Sequence, residues 1–121
     1  MRLFVILFLL IFTVAGQAAD SSGNYAIWGI GNKSCHAYSL SRAAKDDSKY
    51  RDYTMGYLTS YNHQANETYS ISRDMNLDEI LNWVDDQCDL KPIISYEEAL
   101  VNFIVEHYEH RMKFTPHGFG R

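Results

Sequence analysis

The chain of 121 residues is poor in cysteine, in proline and in basic side chains: two Cys, two Pro, and 11 Lys and Arg against 15 Asp and Glu. Each shortage narrows what the protein can be. Cys35 and Cys88 have no C-x-x-C spacing and no clustered second pair, which favours a structural bond over a redox or metal role. A formal net charge of −4 is the wrong sign for the basic stripe that nucleic-acid binding requires. The catalytic signatures are missing too, with no G-x-S-x-G elbow, no H-E-x-x-H and no P-loop. Gly29-Ile30-Gly31 has neither a third glycine nor a preceding strand, and reads as a loop. Adjacent acids at Asp46-Asp47 and Asp85-Asp86 point different ways on a helix, which suits capping and a solvated face rather than acid and base catalysis. The expectation is a protein that is not an enzyme, with no cofactor and no metal.

The one long apolar run comes first. Met1-Arg2 forms a short positive start, and Leu3 to Val14 is apolar apart from Thr13. Small residues follow at Gly16, Ala18 and Ala19. The run is short for a membrane span and fits a secretory signal over residues 1–18, cleaved after Ala18 or, as the neighbouring choice, Ala19. No later span is apolar enough to cross a membrane. Removing Arg2 leaves ten basic residues against 15 acidic, a net of about −5 for a mature chain of about 100 residues. That length is one domain, large enough for a modest core and small enough to gain from a covalent staple. An even pair of cysteines in an exported chain reads as a disulfide, worth about 4 kcal/mol in the chain-entropy model.

Periodicity predicts helices. Residues 19–33 read as an N-terminal loop, and a first helix begins near Ser34 with Cys35, Tyr38 and Arg42. Tyr50, Tyr53, Tyr57 and Tyr61, with Leu58, recur at three and four residues on a second helix that Ser48 or Asp47 can cap. Residues 62–74 are polar and read as a loop. Asn76 and Glu79 form a capping box for a third helix carrying Leu77, Ile80, Leu81, Val84 and Cys88. At about 100° per residue Cys88 falls within roughly 20° of Leu77, on the apolar face. Pro92 stops that helix. Ser95 and Glu98 offer a second box before a fourth helix, with Tyr96, Ala99, Leu100, Phe103, Ile104 and His107, reaching about Met112. Residues 34–112 thus form an all-α bundle of about four helices whose disulfide pins two of them, and 113–121 a flexible tail.

Two features invite a functional reading. The stripe Tyr50, Tyr53, Tyr57, Tyr61 is either a core face or an interface, with the core preferred, and Gly56 and Ser60 beside it offer close approach to a neighbouring helix. His107 and His110 continue the apolar stripe of the fourth helix, where they are structural histidines or pH sensors. Their spacing suits two imidazoles on a metal, but no third ligand is evident. Protonating the 15 carboxylates and five histidines would carry the mature chain from about −5 to about +15.

Trp28 ahead of Cys35, the segment Tyr53 to Asn62, and Trp83-Val-Asp-Asp-Gln-Cys88 with Pro92 and an amphipathic helix after it resemble the small periplasmic HdeA/HdeB-type proteins over about residues 28 to 105. The resemblance implies an all-helical periplasmic domain whose disulfide joins the first and third helices, and an acid-triggered chaperone that is dimeric at neutral pH. The chain departs from that pattern in a longer Trp28 to Cys35 interval, a tyrosine-rich second helix and the lack of lysine-rich character. The Gly56-Tyr57 helix and the Leu77 to Pro92 segment with its following helix also resemble some type VI secretion immunity proteins, which bind one secreted effector. Both resemblances imply other proteins as partners.

Overall fold

Ser34 and Ser95, 61 positions apart in the chain, meet in a short antiparallel bridge, and the bundle is stitched together around that point. The computed structural model describes residues 19–116. Four helices run in order: α1 (Cys35–Ala43), α2 (Ser48–Gln64), α3 (Leu77–Leu90) and α4 (Tyr96–His107). Single 3-10 turns precede and follow them at Gly29–Asn32 and Tyr108–His110. Among the described residues there is no strand, only isolated bridges at Ser34 with Ser95 and Ser70 with Met112. The architecture is all-α, as the periodicity predicts. The expected signal segment 1–18 and the end of the expected tail, 117–121, lie outside the described residues.

Local chemistry sets most helix starts. Ser34 Oγ accepts from Ala37 N at 3.1 Å, and Asn76 with Glu79 completes the reciprocal box that opens α3. Ser95 Oγ accepts from Glu98 N at 3.0 Å. Asp47 occupies the N-cap position of α2 but makes no capping bond. Its carboxylate instead takes Arg42 Nη1 at 3.0 Å and faces Arg51 at 3.7 Å, because two guanidinium groups offer more than one amide does.

Three further expectations need correction. The last helix ends at His107, not near Met112. Met112 leaves the helix to pair with Ser70, its N–H donating to Ser70 O at 2.9 Å. The polar loop begins after Gln64 rather than at residue 62, and it contributes a core side chain, since Ile71 is wholly buried and its N–H donates to Asn62 Oδ1. Among the described residues no helix comes close to Gly56: a Cβ there would meet none of their atoms within 4 Å.

The disulfide Cys35–Cys88 joins α1 to α3, with Cα atoms 4.9 Å apart and 53 positions between them. Both sulfurs lie in a core with Tyr38, Tyr50, Leu81, Val84, Tyr96, Ala99 and Leu100. Around them the chain is also tied by backbone, with Cys35 N donating to Ile94 O at 2.7 Å and Tyr96 N to Lys33 O at 2.8 Å. Tyr38, Tyr50 and Tyr96 pack ring against ring at 4.8 to 5.2 Å between centroids. Such pairs add about 0.5–1.5 kcal/mol each beyond the area they bury. A second cluster of Leu58, Ile71, Ile80, Phe103 and Ile104 fills the other end of the bundle.

Candidate functional site

The tyrosine stripe of α2 divides along its length, and the division creates the site. Tyr50 is core, while Tyr53, Tyr57 and Tyr61 are half-buried. Tyr53 stacks on Tyr57 at 5.8 Å, and the tip of its ring lies so close to Gly31 that a Cβ at that position would collide with it. The turn Gly29–Asn32 therefore settles directly on α2, and the extended segment ahead of it runs across α2 and the start of α4. Tyr25, Ala26, Ile27 and Trp28 from that segment enclose, with Tyr53, Tyr57 and Glu97, a groove of about 300 Å³. Trp28 stands at the groove 85% exposed.

Glu97 is the chemical centre of the groove. It occupies the first turn of α4, yet only 3% of its surface is exposed. Tyr57 donates its hydroxyl to Oε1 at 2.5 Å, and the Tyr25 hydroxyl sits 3.1 Å from Oε1 and 3.0 Å from Oε2. Burial, then the hydrogen bond to Glu97, then the charge of that carboxylate push both phenols above their ordinary range. Tyr53 is raised as well, by burial first and then by the Glu97 charge. Among the described residues no Lys, Arg or His pairs with Glu97; the ion pairs there are Arg42 with Asp47 and Asp85, and Arg51 with Asp47 and Asp78.

A second groove, of about 370 Å³, lies further along α2 between Tyr57, Ser60, Tyr61, Gln64 and Ala65. Among the described residues its lining carries no charged side chain.

The two histidines are separated in role. His107 stacks on Phe103 at 4.0 Å, meets the edge of Trp83 at 5.7 Å, and places Nδ1 2.7 Å from Phe103 O. His110 lies in the 3-10 turn and is exposed, so the apolar stripe stops at His107. Helical spacing no longer applies once the helix has ended. Among the described residues no group of three His, Cys, Asp or Glu is placed to hold a metal.

Sequence reasoning brought Tyr53 and Tyr57 forward but missed Tyr25 and Glu97. A glutamate in the first turn of a helix is ordinary, favoured there by the helix dipole. Its burial depends on Tyr25, 72 positions away, and no local pattern encodes that contact. Trp28 stands out in the sequence only through the family resemblance. Comparison with family models, with curated proteins and with solved structures finds no match to this chain.

Proposed function

We propose that the protein is an exported, non-enzymatic binding module that recognises one folded protein partner through the aromatic groove around Glu97. The observation that carries the reading is that groove: exposed aromatic rings with polar tips, set on a scaffold held by a disulfide and a tyrosine knot. Tyrosine and tryptophan dominate interface energetics because they bury large areas at little entropic cost, and a surface ordered in advance avoids part of the cost of association. Export is supported by the disulfide and by the apolar, small-residue N-terminus of the sequence. No helix among the described residues is long and apolar enough to cross a membrane. An immunity protein that blocks a secreted effector is one form of this reading.

An acid-activated chaperone is the second reading, and one observation favours it. Glu97 accepts from Tyr25 and Tyr57, so protonating it would weaken the tie that holds the N-terminal segment over α2. That loss would bare the faces of Tyr53 and Tyr57.

Affinity capture from periplasmic extract separates the two readings. The full chain and its Trp28→Ala variant are immobilised and exposed to extract at neutral pH and at about pH 3. A stoichiometric partner held at neutral pH by the native chain, with affinity falling by about 2 kcal/mol in the variant, is the expected result. Many clients retained only in acid, with none at neutral pH, would replace it with the chaperone.

A further inference from the structure

We infer that the groove is a cation cage: Tyr25, Trp28, Tyr53 and Tyr57 around the buried Glu97 carboxylate take the guanidinium or ammonium head of an arginine or lysine side chain presented by the protein partner. The source of that cation rests on the binding-module reading; the chemistry of the cage rests on the groove itself.

A carboxylate that is 97% withdrawn from solvent loses hydration that must be replaced. Two phenol hydroxyls and the amino-terminal end of α4 replace part of it. They supply partial positive charge but no full counter-charge. Oε2 receives only the Tyr25 hydroxyl, which leaves it acceptor capacity. A unit negative charge therefore sits at the base of a walled groove with no cation of the described chain beside it.

The walls complement the same ligand. Ring faces attract cations through their quadrupoles, by about 0.5–2 kcal/mol per contact according to how dry the site is. An anionic occupant would meet Glu97 with like charge, and an apolar occupant would leave its already buried charge without a counter-ion. Only a cation improves the electrostatics on entry. The volume of about 300 Å³ lies at the small end of ligand sites, enough for a side-chain head and too small for a nucleotide. Access is open on one side, since Tyr25 is 56% exposed and belongs to no helix.

The test uses the full oxidised chain, isotope-labelled and titrated at constant ionic strength with N-acetyl-arginine methylamide, the lysine counterpart, the uncharged citrulline counterpart and tetramethylammonium chloride. The indole N–H signals of Trp28 and Trp83 are followed separately. Trp83 packs against Phe103 and His107, away from the groove, and reports whether the fold is intact. Saturable displacement of the Trp28 signal by the arginine and lysine compounds is expected, with affinity about tenfold lower for citrulline and about tenfold lower in Glu97→Gln. Should Glu97→Gln fail to fold, Trp28→Ala removes an exposed ring instead, and about threefold weaker binding is then expected on the Tyr57 ring signals. Equal binding of citrulline, or undiminished affinity in a folded Glu97→Gln or Trp28→Ala chain, overturns the cage. Tetramethylammonium binding tenfold tighter than either side-chain mimic overturns the assignment to a partner side chain in favour of a free quaternary ammonium. A captured partner held equally by native and Glu97→Gln protein would likewise reject the cage while leaving the binding-module reading intact.

Discussion

Gly31 shows at the residue scale how one missing side chain shapes the groove. It is buried, and the outer end of the Tyr53 ring fills the space its Cβ would need. In Gly31→Ala the ring must swing outward, breaking its stack on Tyr57 and changing the groove wall beside Glu97. Overpacking of this kind costs about 1–3 kcal/mol, and the mobile phenol end of a half-buried tyrosine puts the expected loss near ~1 kcal/mol. Urea unfolding followed by far-ultraviolet circular dichroism measures that loss. A stability unchanged within error, with Tyr53 and Tyr57 ring signals unmoved, would show that Gly31 does not hold Tyr53 in place. Glu97 is the other residue whose role exceeds its local context, because its neighbours in sequence, Tyr96 and Glu98, go to the core and to solvent.

At the scale of elements, α2 is the longest helix among the described residues and carries a glycine near its middle. Gly56 is exposed, and an added Cβ would touch nothing. A helix-interior glycine costs about 0.5–1 kcal/mol relative to alanine through the freedom it loses on folding. Gly56→Ala should therefore stabilise the protein by about that amount, seen as a higher thermal midpoint in calorimetry. A lower midpoint would mean that this face of α2 is covered by something the packing of one chain does not include, such as a second copy. The end of α4 follows a different logic. Hydrogen bonds of Met112 to Ser70 and of Tyr69 N to Met112 O at 2.8 Å outweigh continuation of the helix, so Arg111 and Met112 belong with the loop between α2 and α3.

For the whole molecule the tyrosines dominate the response to pH. Burial and then the hydrogen bond to Asp85 raise Tyr38 well above the ordinary phenol range. Burial and the Glu97 contact do the same for Tyr57, and burial raises Tyr96 against the opposing hydrogen bond with Thr54. A raised phenol pKa means that the folded chain keeps protons the unfolded chain has released. The contribution to stability is complete below about pH 10 and is lost as pH climbs above it, at a slope of up to about 1.4 kcal/mol per pH unit for each such group. Stability should thus fall steeply in alkali, and tyrosinate absorbance should rise in two stages, exposed rings first and buried rings together with the loss of helix signal. A single early rise of all nine tyrosines with the helix signal intact would contradict the burial of these rings.

Much of the architecture was legible from short-range chemistry. The Asn76 to Glu79 box, the Ser34 and Ser95 caps, the apolar face of α3 and the stop at Pro92 act over four or five residues, so the sequence by itself determined where three helices begin and which face of α3 turns inward. With two cysteines and Cys88 on that face, the bond from α1 to α3 was legible as well. The site was only half legible. Period alone cannot tell a core tyrosine from a groove tyrosine, because both lie on the same side of α2, and what separates Tyr50 from Tyr57 is the neighbour each one meets. The tertiary structure alone decided that Ile71 leaves a polar loop for the core, that α4 yields at His107, and that Tyr25 closes over Glu97. Each of those outcomes is a contact between residues far apart in the chain. Local propensity is blind to such contacts, and the burial of one carboxylate depends on them.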